Sequence, residues 1–122
     1  MNFSRLTFEL TALVLFSTVV YGAEPQRITN DGRLKSDLIF TYDTQELIFS
    51  TLKNAQLIKL ERLNLDSGER TDFHPSANTN ELSLSFGKGM KFYAYIRNDG
   101  NLHTALEVQD VEAGEKYNLN PG

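Results

Sequence analysis

Apolar and polar positions alternate with period two over much of residues 38–119, the mark of strands that turn one face to a core. The clearest run is 82–111. Leu82, Leu84 and Phe86 alternate with serines, and Gly87, Lys88 and Gly89 turn the chain. Met90, Phe92, Ala94 and Ile96 then alternate with Lys91, Tyr93, Tyr95 and Arg97, before Asn98-Asp99-Gly100 leads into Leu102, Thr104, Leu106 and Val108. A three-residue loop at 98–100 sets Ile96 against Leu102, Phe92 against Leu106 and Met90 against Val108, with Gly100 in the left-handed position such loops need. One face of this hairpin is then apolar apart from Thr104. The other carries Lys91, Tyr93, Tyr95, Arg97, Asn101, His103, Ala105 and Glu107, with Lys91 opposite Glu107 and His103 opposite Tyr95. A slip of one residue exchanges the faces.

The earlier chain reads similarly. Residues 24–35 are a polar opening segment with a turn at Asn30-Asp31-Gly32. Leu38, Phe40 and Tyr42 form a strand, and a four-residue loop at 43–46 pairs Phe40 with Phe49 and Tyr42 with Leu47. Over 56–65 the phase changes: Ile58 and Leu60 share one phase, Leu63 and Leu65 the other. A β-bulge near Glu61-Arg62 would account for this, and an amphipathic helix over 52–65 is the competing expectation. A short edge strand at 70–73, a loop at 74–80 in which Pro75 ends any pairing, and a last segment at 116–119 complete the set. Six to seven short strands with turns about every ten residues predict an all-β domain: a single antiparallel immunoglobulin-like β-sandwich, with a small barrel as the alternative.

The N-terminus departs from this pattern. Arg5 precedes an apolar run at 10–20, and Tyr21-Gly22-Ala23 ends in small residues. This is the three-part pattern of a secretory signal peptide, expected over 1–23 with cleavage after Gly22 or Ala23, and an uncleaved anchor is the alternative. The run is too short for a bilayer, which takes about 20 residues. Residues 24–122 then form one domain of a monomer, periplasmic or secreted. No stable membrane insertion is expected after cleavage.

Composition narrows the chemistry further. The chain has no cysteine, which excludes a disulfide framework, a thiolate metal site and a dithiol redox motif. Its net charge is −4, a poor match to nucleic acid, which selects for basic patches. There are two histidines. His74 follows Asp72 in a loop and is expected to be solvated, since a transition metal gathers three or four ligands and no further histidine or cysteine is nearby. Ser83 and Ser85 lie on strand surface, outside any nucleophile elbow, and Gly87-Lys88-Gly89 is too short for a phosphate loop. The expectation is a non-enzyme without cofactor or metal. What remains is surface: Lys91, Tyr93, Tyr95, Arg97 and His103 form the candidate partner-binding face, because tyrosine and arginine dominate binding hot spots. A tyrosine row also stacks on sugar rings, so a carbohydrate- or cell-surface-binding module is the second functional expectation.

The order of segments resembles the periplasmic immunoglobulin-like proteins of the curli system. The likeness rests on Leu38-Ile39-Phe40-Thr41 as first strand, on Leu52 to Ile58 leading through Leu63-Asn64-Leu65-Asp66-Ser67-Gly68, and on Met90-Lys91 through Asp99-Gly100 to Leu102-His103. The resemblance implies a chaperone-like protein that restrains aggregation of an extracellular amyloid subunit, its protein client, during export. The Cys-x-Cys of some members would fall at Gln56 and Ile58, so their redox role is absent. Leu65-Asp-Ser-Gly-Glu69 and Val111-Glu-Ala-Gly-Glu115 are similar to turns of transthyretin-like and carboxypeptidase-regulatory modules, although the first strands are spaced too widely.

Overall fold

The computed structural model describes residues 22–100 and 103–119, so all but the last two residues of the signal peptide expected over 1–23, together with Asn101 and Leu102 of the expected hairpin, lie outside the described residues. Residues 22–30, the described part of a separate unit, carry no helix or strand. From Asp31 onward the protein is all-β, with two antiparallel sheets of four strands each. Sheet A runs β1 (Lys35–Phe40), β2 (Glu46–Asn54), β3 (Leu57–Asn64), β4 (Arg70–Asp72), and sheet B runs β5 (Asn80–Phe86), β6 (Phe92–Asn98), β7 (Thr104–Asp110), β8 (Lys116–Leu119), each in sequence order. Eight strands replace the six or seven expected. Both short segments expected at 70–73 and 116–119 pair as strands at the ends of the sheets, which brings the number to eight.

The phase change in β3 has a different cause from the bulge expected at Glu61-Arg62. Pairing with β2 is regular from Ile58↔Leu52 to Asn64↔Glu46. Both faces of sheet A are covered instead. Ile48 and Leu60 point to one side and cluster with Leu84 and Tyr95 of sheet B; Leu47, Phe49 and Leu63 form a second cluster on the opposite side. A strand covered on both faces carries apolar residues in both phases, so nothing has to be inserted. In the β1–β2 hairpin Phe40 lies opposite Leu47 and Ile39 opposite Ile48, two residues away from the expected register. Thr41 N donates to Glu46 O at 2.9 Å and closes a longer turn.

β4 flanks only the second half of β3, pairing from Glu61 to Leu63. The amides of the first half find acceptors on β5 side chains: Ile58 N donates to Asn80 Oδ1 at 2.8 Å, and Leu60 N to Glu81 Oε2 at 3.3 Å. A buried backbone N–H without a partner costs about 1–3 kcal/mol, so these two side chains substitute for a missing strand. A second link joins two bulges. The register shifts between Ser36 and Ile39 in β1 and between Leu82 and Ser85 in β5, where Asp37 and Ser83 adopt positive φ. The Asp37 carboxylate accepts from Ser50 Oγ and from Ser83 N, both at 3.3 Å. Each bulge thereby supplies the other's hydrogen bond.

The β6–β7 hairpin differs most from expectation. Asn98 pairs with Thr104, Ile96 with Leu106, Ala94 with Val108 and Tyr95 with Glu107, which excludes the three-residue loop expected at 98–100. The slide is an even number of residues, so the residues sharing a face are unchanged. The assignment of faces is nevertheless reversed. Tyr95, Ala105 and Glu107 are buried, while Phe92 and Leu106 are exposed. The polar face of this hairpin looks inward, toward sheet A.

Candidate functional site

The inverted face of sheet B brings a chain of polar groups into the interior. Glu81, fully buried, receives Lys59 Nζ at 3.1 Å and His74 Nδ1 at 3.0 Å on the same oxygen, while Leu60 N reaches the other. The Lys59 ammonium also donates to the carbonyls of His74 (3.2 Å) and Ala77 (2.8 Å), and so ties the loop after Phe73 to β3. On the far side of the imidazole, Nε2 lies 3.0 Å from Tyr93 Oη. Both ring nitrogens are thereby engaged, one by the Glu81 carboxylate and the other by the Tyr93 hydroxyl. His74 is thus bonded at both nitrogens and packed 4.6 Å from the Tyr95 ring, in place of the solvated loop histidine expected. The polar interior is closed by Arg97, whose guanidinium binds Glu107 Oε1 and Asp99 Oδ2, each at 2.7 Å.

Such a chain has the donor–acceptor order of a proton relay. Its members, however, bond one another, and Glu81 has no open side for a substrate. Desolvation pushes the Tyr95 hydroxyl up to about 12, with the Glu107 and Glu81 carboxylates adding to it. Burial also raises Tyr93. Both phenols are therefore held neutral, Tyr93 Oη within hydrogen-bonding distance of His74 Nε2. Among the described residues no three His, Asp or Glu side chains converge as metal ligands.

The five residues of the expected partner face are distributed as follows. Lys91 is exposed and paired with Glu112 at 2.9 Å, and His103 is exposed in the β6–β7 connection. Arg97 and Tyr93 are half-buried in the networks above, and Tyr95 is 1% exposed, in the core between the sheets. Tyr95 lies opposite Glu107 and not His103, and Lys91 lies outside β6. They do not form one exposed surface.

The exposed surface of sheet B is the apolar one. Register places Leu82, Ile96, Leu106 and Leu119 side by side across all four strands, with Ser85, Ala94, Val108 and Tyr117 in the next row and Phe92 beyond. No charged residue stands in either of the first two rows. Leu106 is 40%, Phe92 46%, Tyr117 48% and Leu119 56% exposed. At the β5–β6 end, beyond Leu82 and Ile96, the tip of the β2–β3 hairpin rises beside these rows and encloses an open cavity of about 480 Å³. Alternation alone identified the residues of this face and could not say on which side the rest of the protein would lie. No family model matches this chain, and no curated protein matches its sequence.

Proposed function

We propose that the chain is an exported, non-enzymatic binding protein of immunoglobulin-like sandwich type, and that it engages its client through the outer face of sheet B. The observation that carries this reading is the pair of uncharged rows from Leu82 to Leu119 and from Ser85 to Tyr117, exposed at Leu106, Tyr117 and Leu119 and half-buried at Leu82, Ala94, Ile96 and Val108, while Glu81 and Glu107 are buried. Soluble proteins seldom leave contiguous apolar area beyond a few hundred Å² exposed, and where they do it marks an interaction surface. Two adjacent rows without charge suit a partner that is itself apolar and extended, because each charge brought against them would be desolvated without compensation. An aggregation-prone subunit in transit presents such segments. The resemblance in segment order to the curli-system proteins supports the same client class, a curli-type amyloid subunit whose aggregation is restrained during export.

The test is the lag time of thioflavin-T fluorescence for a curli-type subunit with the protein at a small molar fraction. A long delay, lost in the Leu106→Asp/Leu119→Asp double variant with its unfolding midpoint retained, is the expected result. Absence of delay with the unaltered protein rejects the client, and an equal delay with the variant rejects the face.

A further inference from the structure

The cavity at the hairpin end of sheet B has features that the two rows lack. Leu52 and Ile58, paired across β2 and β3, form one wall; Leu82 and Ile96, paired across β5 and β6, form another. Its volume of about 480 Å³ lies within the range of small-ligand sites, roughly 300–1,000 Å³. No charged residue lines it. Its polar groups are neutral, and three of them are carboxamides: Asn80, whose Oδ1 is fixed by Ile58 N at 2.8 Å, Asn98, whose Nδ2 donates to Thr104 Oγ1 at 2.8 Å, and Gln56 at the hairpin tip. A carboxamide offers a donor and an acceptor side by side, which is the complement of a peptide group. The walls ask for a branched aliphatic body, and the rim for amides next to it. An ionised headgroup would meet no counter-charge and would lose its hydration.

We propose that this cavity is a socket for a single leucine-sized side chain of a polypeptide partner, with the carboxamides of Asn80 and Gln56 pairing with the partner's backbone on either side. This deepens the reading above and rests on it for the partner, since Leu82 and Ile96 belong both to the cavity wall and to the apolar row. The socket supplies what a uniform apolar face cannot, a fixed register for the bound segment. A buried apolar anchor in a preformed pocket, ringed by polar contacts, is the usual form of such a hot spot.

The probe is N-acetyl-L-leucinamide, an uncharged leucine side chain between two amide groups, titrated into the full chain and followed by amide and methyl NMR shifts. Saturable shifts confined to Leu52, Ile58, Leu82, Ile96 and the side-chain amides of Gln56 and Asn80, in the millimolar range expected of so small a ligand, support the socket. Ala55→Trp, at an exposed position on the cavity mouth, is expected to abolish those shifts and to weaken an apolar client peptide about tenfold. Leu106→Asp is expected to weaken the same peptide while leaving the leucinamide shifts unchanged. Absence of saturable shifts overturns the proposal, as does equal binding by the Ala55→Trp variant, or shifts with n-octanol but none with the leucinamide. Leucinamide binding without binding of any client peptide would leave the socket standing and remove the function proposed for the face beside it.

Discussion

Phe49 on the outer side of sheet A and Phe92 on the outer side of sheet B occupy comparable places in two four-stranded antiparallel sheets, yet Phe49 is fully buried and Phe92 is 46% exposed. Over Phe49 lie the Arg70 guanidinium at 5.6 Å and the Lys35 ammonium at 5.8 Å. Arg70 is anchored by Glu61 and by Asp31 Oδ2 at 2.6 Å, Lys53 bridges Glu61 and Asp72, and the backbone carbonyl of Leu34 accepts from Thr51 Oγ1 at 3.0 Å. Lys35 and Arg70 hold the Asp31 carboxyl well below the usual carboxylate range, although it lies at the surface. Sheet A thus closes its outer face with residues 31–35 and with long cationic side chains whose apolar stems cover the ring. Sheet B has no equivalent among the described residues. The contrast teaches that leaving Leu106, Tyr117 and Leu119 uncovered is not forced by the size of the fold, because the same chain covers the corresponding face on its other sheet.

Breaking the interior between the sheets gives the largest effect. Lys59→Met or Glu81→Leu alone is expected to cost about 3–5 kcal/mol in urea unfolding, because each leaves an uncompensated buried charge, while the double substitution costs less than the sum. Phe49→Ala should cost about 3–5 kcal/mol and Phe92→Ala less than about 1 kcal/mol, a direct measure of how differently the two outer faces are covered. Equal costs would remove the distinction on which the binding face rests.

The polar interior of sheet B also predicts an alkaline weakness. The Tyr95 hydroxyl is raised from 10.0 to about 12, so the unfolded chain ionises first and binds fewer protons than the native one between those values. Stability therefore falls as pH rises through the unfolded value and levels off above the folded one, by about 2–3 kcal/mol in all. Urea midpoints at about pH 9 and about pH 11.5, compared with those of Tyr95→Phe, isolate the effect, since the variant should lack this part of the decline.

Smaller effects sharpen the same contrast. Arg70→Gln uncovers Phe49 and removes one cation from buried Glu61, for an expected loss of about 1–3 kcal/mol that high salt does not mimic. Leu106→Ser with Leu119→Ser should change stability by no more than about 0.5 kcal/mol per site and reduce binding of an environment-sensitive apolar dye. A large loss of stability there would mean that these rows belong to the core.

The sequence by itself determined the all-β class, most strand positions, and which residues of the β6–β7 hairpin share a face. Period-two alternation is local, and it survives a slide of the hairpin by an even number of residues. It also identified Tyr93, Tyr95 and Arg97 as a set apart from Phe92, Ala94 and Ile96. Only the tertiary structure decided which set turns inward. The reason lies in the unpaired half of β3: the amides of Ile58 and Leu60 require acceptors, and Asn80 and Glu81 supply them. Glu81 then draws Lys59 and His74 into the interior. Ile58 and Asn80 are 22 positions apart and Leu60 and Glu81 are 21 apart, and no alternation within a single strand encodes such pairings. Once Glu81 and Tyr95 face sheet A, Leu106 and Leu119 can only face outward.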